Sequence, residues 1–199
     1  MRCGVSINSI LSILIVSLLL NVSCGNKQDK GSEEVPSDEN ETTSYHNDKV
    51  GRPSPLAKAE ASIDGTRVSI EYSQPAVKSR KIWGNLVKYD RIWRTGANEA
   101  NILESSGPIL INDQRLEPGK YALFTIPSKD SWIVIVNNVY DQWGAYDYDK
   151  KEDVMRLTVT PKLVSELQER MTFTIDSLGS LDFAWEYLRF SLPIRKLDE

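Results

Sequence analysis

The sequence predicts an all-β protein, an antiparallel β-sandwich of jelly-roll-like layout, on three observations. From Pro53 onward most segments alternate apolar and polar residues at period two. Gly, Pro, Asn and Asp interrupt those segments at short intervals. Helical periodicity is confined to one stretch. About eight to ten short strands with few parallel crossovers fit two packed antiparallel sheets. A closed β-barrel is the alternative.

The strands follow in order. "TRVSIEYS" sets Val68, Ile70 and Tyr72 against Arg67, Ser69 and Glu71. "GPILINDQRLEPGKYALFTIP" reads as short strands joined by turns at Asn112-Asp113 and Pro118-Gly119. Within it, Tyr121, Leu123 and Thr125 oppose Ala122, Phe124 and Ile126. "SWIVIVNN" is apolar on both faces and so predicts a strand buried on both sides. "VMRLTVTP" and "MTFTIDSLG" alternate again. "FAWEYLRF" predicts a core strand with Phe183, Trp185 and Tyr187 on one face. The one helix candidate is residues 161–171, where Leu163, Val164, Leu167 and Met171 have rough helical spacing; a crossing between sheets is the other reading.

The N-terminus predicts an address. Arg2, an apolar run from about Ile7 to Leu20 and then "NVSC" have the layout of a secretory leader, residues 1–23. Ser23 before Cys24 resembles a bacterial lipobox, with Asn21 where Leu is usual. The expectation is a lipoprotein diacylated on Cys24 and anchored in the bacterial envelope, at the outer membrane, with its domain in the periplasm or at the cell surface. Residues 24–52 then form a disordered tether, since so polar a stretch cannot offset its ordering entropy. A flexible linker of that length spans roughly 25–30 Å. Residues 53–199 form a single domain, large enough for a core without staples.

Composition excludes much chemistry. The 199 residues hold two cysteines and one histidine, with a net charge of -4. Cys3 leaves with the leader, Cys24 carries lipid, and His46 lies in the tether. No disulfide, thiolate metal site, histidine zinc site or His-based hydrolase triad is expected, and no cofactor. No basic patch predicts nucleic acid as a partner.

Residues 72–101 break the pattern. They are long for an irregular segment, and Tyr72, Trp83, Tyr89 and Trp93 alternate with Arg80, Lys81, Arg91 and Arg94. "SPLAKAEASIDGTRVSIEYSQPAVKSRKIWGNLV", "IWRTGANEAN", "LEPGKYALFTIP", "WIVIVNN" and "WGAYDYD" resemble, in the same order, the DUF2911 family of bacterial envelope proteins of uncharacterised function. "WRTGANEA" is the most specific piece. Ser79 and Asp90 stand where the resemblance implies glycine. The resemblance implies a secreted or lipid-anchored β-rich domain and brings no activity with it.

In "WRTGANEA", Gly96 is the residue suited to positive φ, and Thr95 and Asn98 can fix a turn. Arg94 offers a planar fork for a carboxylate or phosphate. Two readings stay open. Arg94 pairs with a carboxylate, Glu99 being the nearest in sequence and Glu71, Glu104 or Asp90 the others, and the segment is a tied corner; or Arg80, Trp83, Trp93, Arg94, Asn98 and Glu99, with Trp143 and Tyr146 of "DQWGAYDYD", line a site for carbohydrate or an anionic small molecule. The first functional expectation is a non-catalytic binding or accessory domain. The alternatives are a carboxylate-dependent hydrolase of envelope glycans and a purely structural interaction domain.

Overall fold

Ten antiparallel strands, each closed by short-range turn chemistry or cross-sheet packing, make two facing sheets in a computed structural model that describes residues 51–197. The leader, Cys24 and all but the last two residues of the tether lie outside the described residues. The strands are β1 (Leu56–Ile63), β2 (Thr66–Ser73), β3 (Asn101–Ser105), β4 (Ile109–Ile111), β5 (Gln114–Leu116), β6 (Gly119–Ile126), β7 (Trp132–Asn137), β8 (Asp153–Val159), β9 (Lys162–Ile175) and β10 (Ser180–Lys196). One sheet has the order β1-β2-β3-β6-β7-β8 and the other β5-β4-β10-β9. The architecture is the sandwich, with two open sheets rather than a closed barrel.

Local sequence explains the hairpins. Asp64 and Gly65 between β1 and β2, and Asn112 and Asp113 between β4 and β5, all have positive φ. Two such residues in succession make the turn whose twist matches the flanking strands. Alternation then assigns faces. Val68, Ile70, Tyr72, Leu123, Val134 and Val136 point between the sheets, into the main core. Ala122, Phe124 and Ile135 point out of the sandwich into a second, small core with Ala100, backed by Ile92, Ala145 and Tyr148. β7 is thus buried on both faces, as its apolar run predicts.

Two expectations change. Residues 161–171 are not helical: β9 covers nearly all of them, and the one helical element among the described residues is a 3-10 turn, Lys150–Glu152. Leu163, Val164 and Leu167 are exposed on β9, and Leu163 and Gln168 pair with Leu188 and Glu186 of β10. The 17-residue β10 offers a backbone ladder that outweighs a weak helical spacing. The face of "FAWEYLRF" also flips midway. Glu186 has φ 53° at a register shift, so Tyr187 turns to solvent and Leu188 is buried.

The interior is aromatic. Trp132 of β7 meets Trp83 at 4.9 Å, Phe183 at 5.8 Å and Phe190 at 5.7 Å between ring centroids. Trp185 of β10 stacks on Trp93 at 5.8 Å and meets Trp83 edge-on at 5.6 Å. Nε1 of Trp83 and of Trp185 lacks a conventional acceptor. Near-perpendicular ring contacts of this kind are the setting in which N–H groups turn to π faces.

Candidate functional site

The irregular segment between β2 and β3 holds the candidate residues, and its path decides what each can do. It first runs beside β9, with Ala76 bridged to Arg170, and buries Val77, Ile82 and Val87 in the main core. It then returns along β6, where Trp93 and Thr125 exchange both backbone hydrogen bonds at 2.8 Å. That exchange is an isolated antiparallel bridge centred on Trp93. Trp93 therefore points inward to the tryptophan cluster, while Ile92 packs on the outer core. By the same alternation Arg94 faces outward.

Trp83 and Trp93 are half-buried against the main core, with their rings in contact with Trp132 and Trp185. Arg80 folds back on its own loop, donating from Nε to the carbonyl of Val77 and from Nη2 to that of Ala76. Asn98 is a tie: its Nδ2 donates to Ser73 Oγ at 3.1 Å and to the Ser54 carbonyl at 3.3 Å. These four serve the corner.

The turn itself differs from the expected one. Thr95 (φ 57°) and Asn98 (φ 61°) carry the positive φ, not Gly96. Gly96 is needed for close approach: a β-carbon there would lie 3.0 Å from Asn101 Oδ1 and 3.2 Å from the Ser73 carbonyl oxygen. Thr95 is β-branched and in a conformation that costs it of order 1–3 kcal/mol. Its hydroxyl, buried against Thr125 Oγ1 at 3.0 Å, and its carbonyl, accepting from Asn101 Nδ2 at 2.8 Å, hold it there. Ser79 (φ 55°) and Asp90 (φ 58°) also occupy the left-handed region. The glycines implied at those places thus answer to a geometry this chain keeps without them.

Arg94 does not take Glu99. Glu99 Oε1 instead accepts from Nη1 of Arg52, the last tether residue, at 2.6 Å. The Arg52 guanidinium also lies 5.9 Å from the ring centroid of Trp143. Arg94 is partly buried, and its Nε has no hydrogen-bond partner among the described residues. Burial pulls its pKa below the ordinary guanidinium value, while the neighbouring Tyr146 and Glu99 pull it back up. A guanidinium stays charged under such shifts. A β-carbon at Gly144 would sit 3.6 Å from Arg94 Nη1 and 3.3 Å from the Tyr146 ring, so the three meet at one spot.

The other side of this face is residues 138–149, between β7 and the 3-10 turn. Their anchoring is polar. Asn137 Nδ2 donates to Asp153 Oδ1 at 2.9 Å and to the Asp149 carbonyl at 3.0 Å. Asp153 Oδ2 accepts from the Tyr148 hydroxyl at 2.7 Å and from Arg156 Nε at 2.8 Å. Asp149 and Asp153 are engaged in these ties and in capping the 3-10 turn. So anchored, the loop presents Tyr140, Trp143 and Tyr146 to solvent, at 40, 48 and 83% exposure. Isolated exposed aromatics need no explanation, but three on one pinned loop beside a desolvated guanidinium do.

Of the eight candidates, Arg94, Glu99, Trp143 and Tyr146 share this face. The sequence reading missed Arg52, assigned to the tether, and Tyr140, Asp141 and Gln142, which with Glu71 and Glu99 line a cavity of about 60 Å³ beneath the loop. For Tyr140, Asp141 and Gln142 the available signal was their position in "DQWGAYDYD" or next to it.

No curated protein and no solved structure matches the chain. A family model, described as a protein of unknown function (DUF2911), matches residues 54–194, which takes in all of both sheets but the last two residues of β10. The chain belongs to the DUF2911 family.

Proposed function

We propose that this is a non-catalytic ligand-binding domain of the bacterial envelope, gripping an acidic carbohydrate or a small organic anion between Arg94 and the loop 138–149. The observation that carries the reading is Arg94, a partly buried guanidinium whose Nε finds no partner in the fold. Removing a charge from water is costly unless it is paired, and an incoming carboxylate would supply two parallel hydrogen bonds. Trp143 and Tyr146 offer ring faces on which the apolar face of a sugar stacks. The hydrolase alternative is less well supported. The carboxylates that share a cavity, Glu71, Glu99 and Asp141, enclose about 60 Å³, whereas small-molecule sites run to roughly 300 Å³ or more.

Two measurements test the reading. Calorimetric titration should show uronate-bearing oligosaccharides binding and their neutral counterparts binding at least about tenfold more weakly. Tyr146→Ala, at a side chain 83% exposed, should cut that affinity several-fold while leaving thermal stability unchanged. Equal binding of charged and neutral sugars, or none of either, would count against it.

The anchor is part of the proposal. Acyl chains on Cys24 contribute about 0.8 kcal/mol per buried methylene, and two chains hold a protein at a bilayer. Cys24→Ser is therefore expected to shift the protein from the membrane to the soluble fraction and to abolish labelling by a radioactive fatty acid. Retention of both properties would sink the lipoprotein assignment.

A further inference from the structure

The four-stranded sheet ends in an apolar tip. β10 folds back at Glu186 (φ 53°): Ile194 N donates to the Gly179 carbonyl at 2.7 Å, and Phe183 stacks on Phe190 at 4.8 Å. Opposite the fold, two steps of β10, Glu186 to Leu188, face five steps of β9, Gln168 to Leu163, so β9 bulges by three residues. Leu163, Val164 and Leu167 of β9 and Tyr187 of β10 are 80, 38, 46 and 44% exposed there. Arg189 holds the tip together. It donates from Nη1 to the Glu186 and Leu188 carbonyls at 3.2 and 3.0 Å, and from Nη2 to the Glu166 carbonyl at 3.0 Å.

We propose that this tip docks on a lipid bilayer, with Leu163, Val164, Leu167 and Tyr187 entering the headgroup region. The docking rests on the Cys24 anchor proposed above and adds to it an orientation of the domain. Its first support is the place where the chain enters the fold. Arg170 Nη1 donates to the carbonyls of Pro53 and Gln74 at 3.4 and 3.2 Å, so the segment that leads back to Cys24 departs beside Arg170 of β9. Arg170 follows Leu167 by three residues, about 10 Å along a strand. An anchor at Cys24 therefore draws this end of β9 toward the membrane, not the end at the β9–β10 turn.

The chemistry of the tip fits lipid better than protein. A bilayer offers no donors to backbone carbonyls, and Arg189 already supplies them to three at the tip. Lys162 and Arg189 balance Glu166 and Glu186, so the tip carries no net charge with which to seek an oppositely charged partner. Leucine and valine sink below the headgroups, and tyrosine sits among them. Four side chains also fall short of the roughly 800 Å² per partner that a stable protein interface buries. A tethered contact with lipid has no such threshold, because linkage raises the effective concentration of the surface to the order of millimolar.

The test is spin labelling of the full chain, purified from membranes and placed in vesicles of phosphatidylethanolamine and phosphatidylglycerol. Leu163→Cys and Leu178→Cys, each bearing one nitroxide, compare the tip with a side chain 93% exposed in the β9–β10 turn at the other end of β9. Collision with a water-soluble nickel chelate should be several-fold lower at 163 than at 178, and collision with oxygen, which concentrates in lipid, should be higher. The difference should persist from low to high salt, since no net charge drives it. Leu167→Glu, at an exposed position, should return the label at 163 to the values at 178 without moving the melting temperature. Protein that floats with the vesicles but keeps both labels in water would overturn the docking and leave the anchor standing. Exclusion of both probes at 163 would overturn it as well, by showing that a second copy of the chain covers the tip. Protein that does not float would overturn anchor and docking together.

Discussion

Arg94→Met is expected to remove the binding of acidic ligands while leaving the domain as stable as before, or more so by about 1 kcal/mol. The two halves of that result have one cause. In the folded chain Arg94 is partly desolvated, its Nε has no hydrogen-bond partner among the described residues, and the neighbouring carboxylate Glu99 accepts from Arg52. Replacing a charge whose burial Tyr146 and Glu99 only partly offset by an unbranched apolar side chain of similar length relieves the desolvation and keeps the packing over Gly144. For a bound carboxylate the same change deletes the partner of a semi-buried ion pair, which costs about 2–5 kcal/mol, or some 30- to several thousand-fold in affinity. Calorimetric titration and thermal denaturation of the same preparation would measure both. A loss of several kcal/mol of stability, with no acidic ligand found, would make Arg94 a structural member of the corner and end the binding reading.

Trp132→Ala should have the largest effect on stability, a loss of about 3–5 kcal/mol. Trp132 is 1% exposed and belongs to the six-stranded sheet, yet Phe183 and Phe190, two of the rings it touches, come from β10 of the other. It is one of the side chains through which the two layers meet, and its removal leaves a large void between them. For a domain of this size the melting temperature should fall by roughly 10 °C. Chemical denaturation followed by far-ultraviolet circular dichroism gives the free energy directly. A change below about 1 kcal/mol would mean that the aromatic cluster tolerates a void that size, contrary to close packing. The site should also feel this substitution. Trp93 is packed in the same cluster at 6.2 Å from Trp132, and Arg94 follows it in the chain.

Much of this was legible in the sequence for a definite reason. Period-two alternation encodes which face of a strand is buried, so "TRVSIEYS" and "KYALFTI" disclose both their strands and their inward residues. The doubly apolar "WIVIVN" announced a strand covered on both sides, and the small outer core with Phe124 and Ile135 is what covers it. The turn at Asn112-Asp113 was readable because few residues tolerate two successive positive φ values. β9 was misread because Leu163, Val164 and Leu167 obey helix spacing loosely, and no local signal announces a partner strand twenty residues on. The break at Glu186 was invisible for a similar reason: a bulge is settled by register against β9, not by the residue that hosts it.

The candidate site divides along the same line. Residue types alone determined the absence of thiol and imidazole chemistry in the domain, the strand alternation and the family. They also marked "WRTGANEA" and "DQWGAYDYD" as the segments rich in groups able to bind. Which of those groups meet was left to the tertiary structure. The exchange of backbone bonds between Trp93 and Thr125 turned one indole against the core and its neighbour Arg94 to the outer face, where it lies half-buried beside Tyr146. Arg52, distant in sequence by 47 residues, came to hold the carboxylate that the tied-corner reading gave to Arg94. Pairings of that kind depend on the relative positions of separate strands and loops, and a one-dimensional pattern carries periodicity but not those positions.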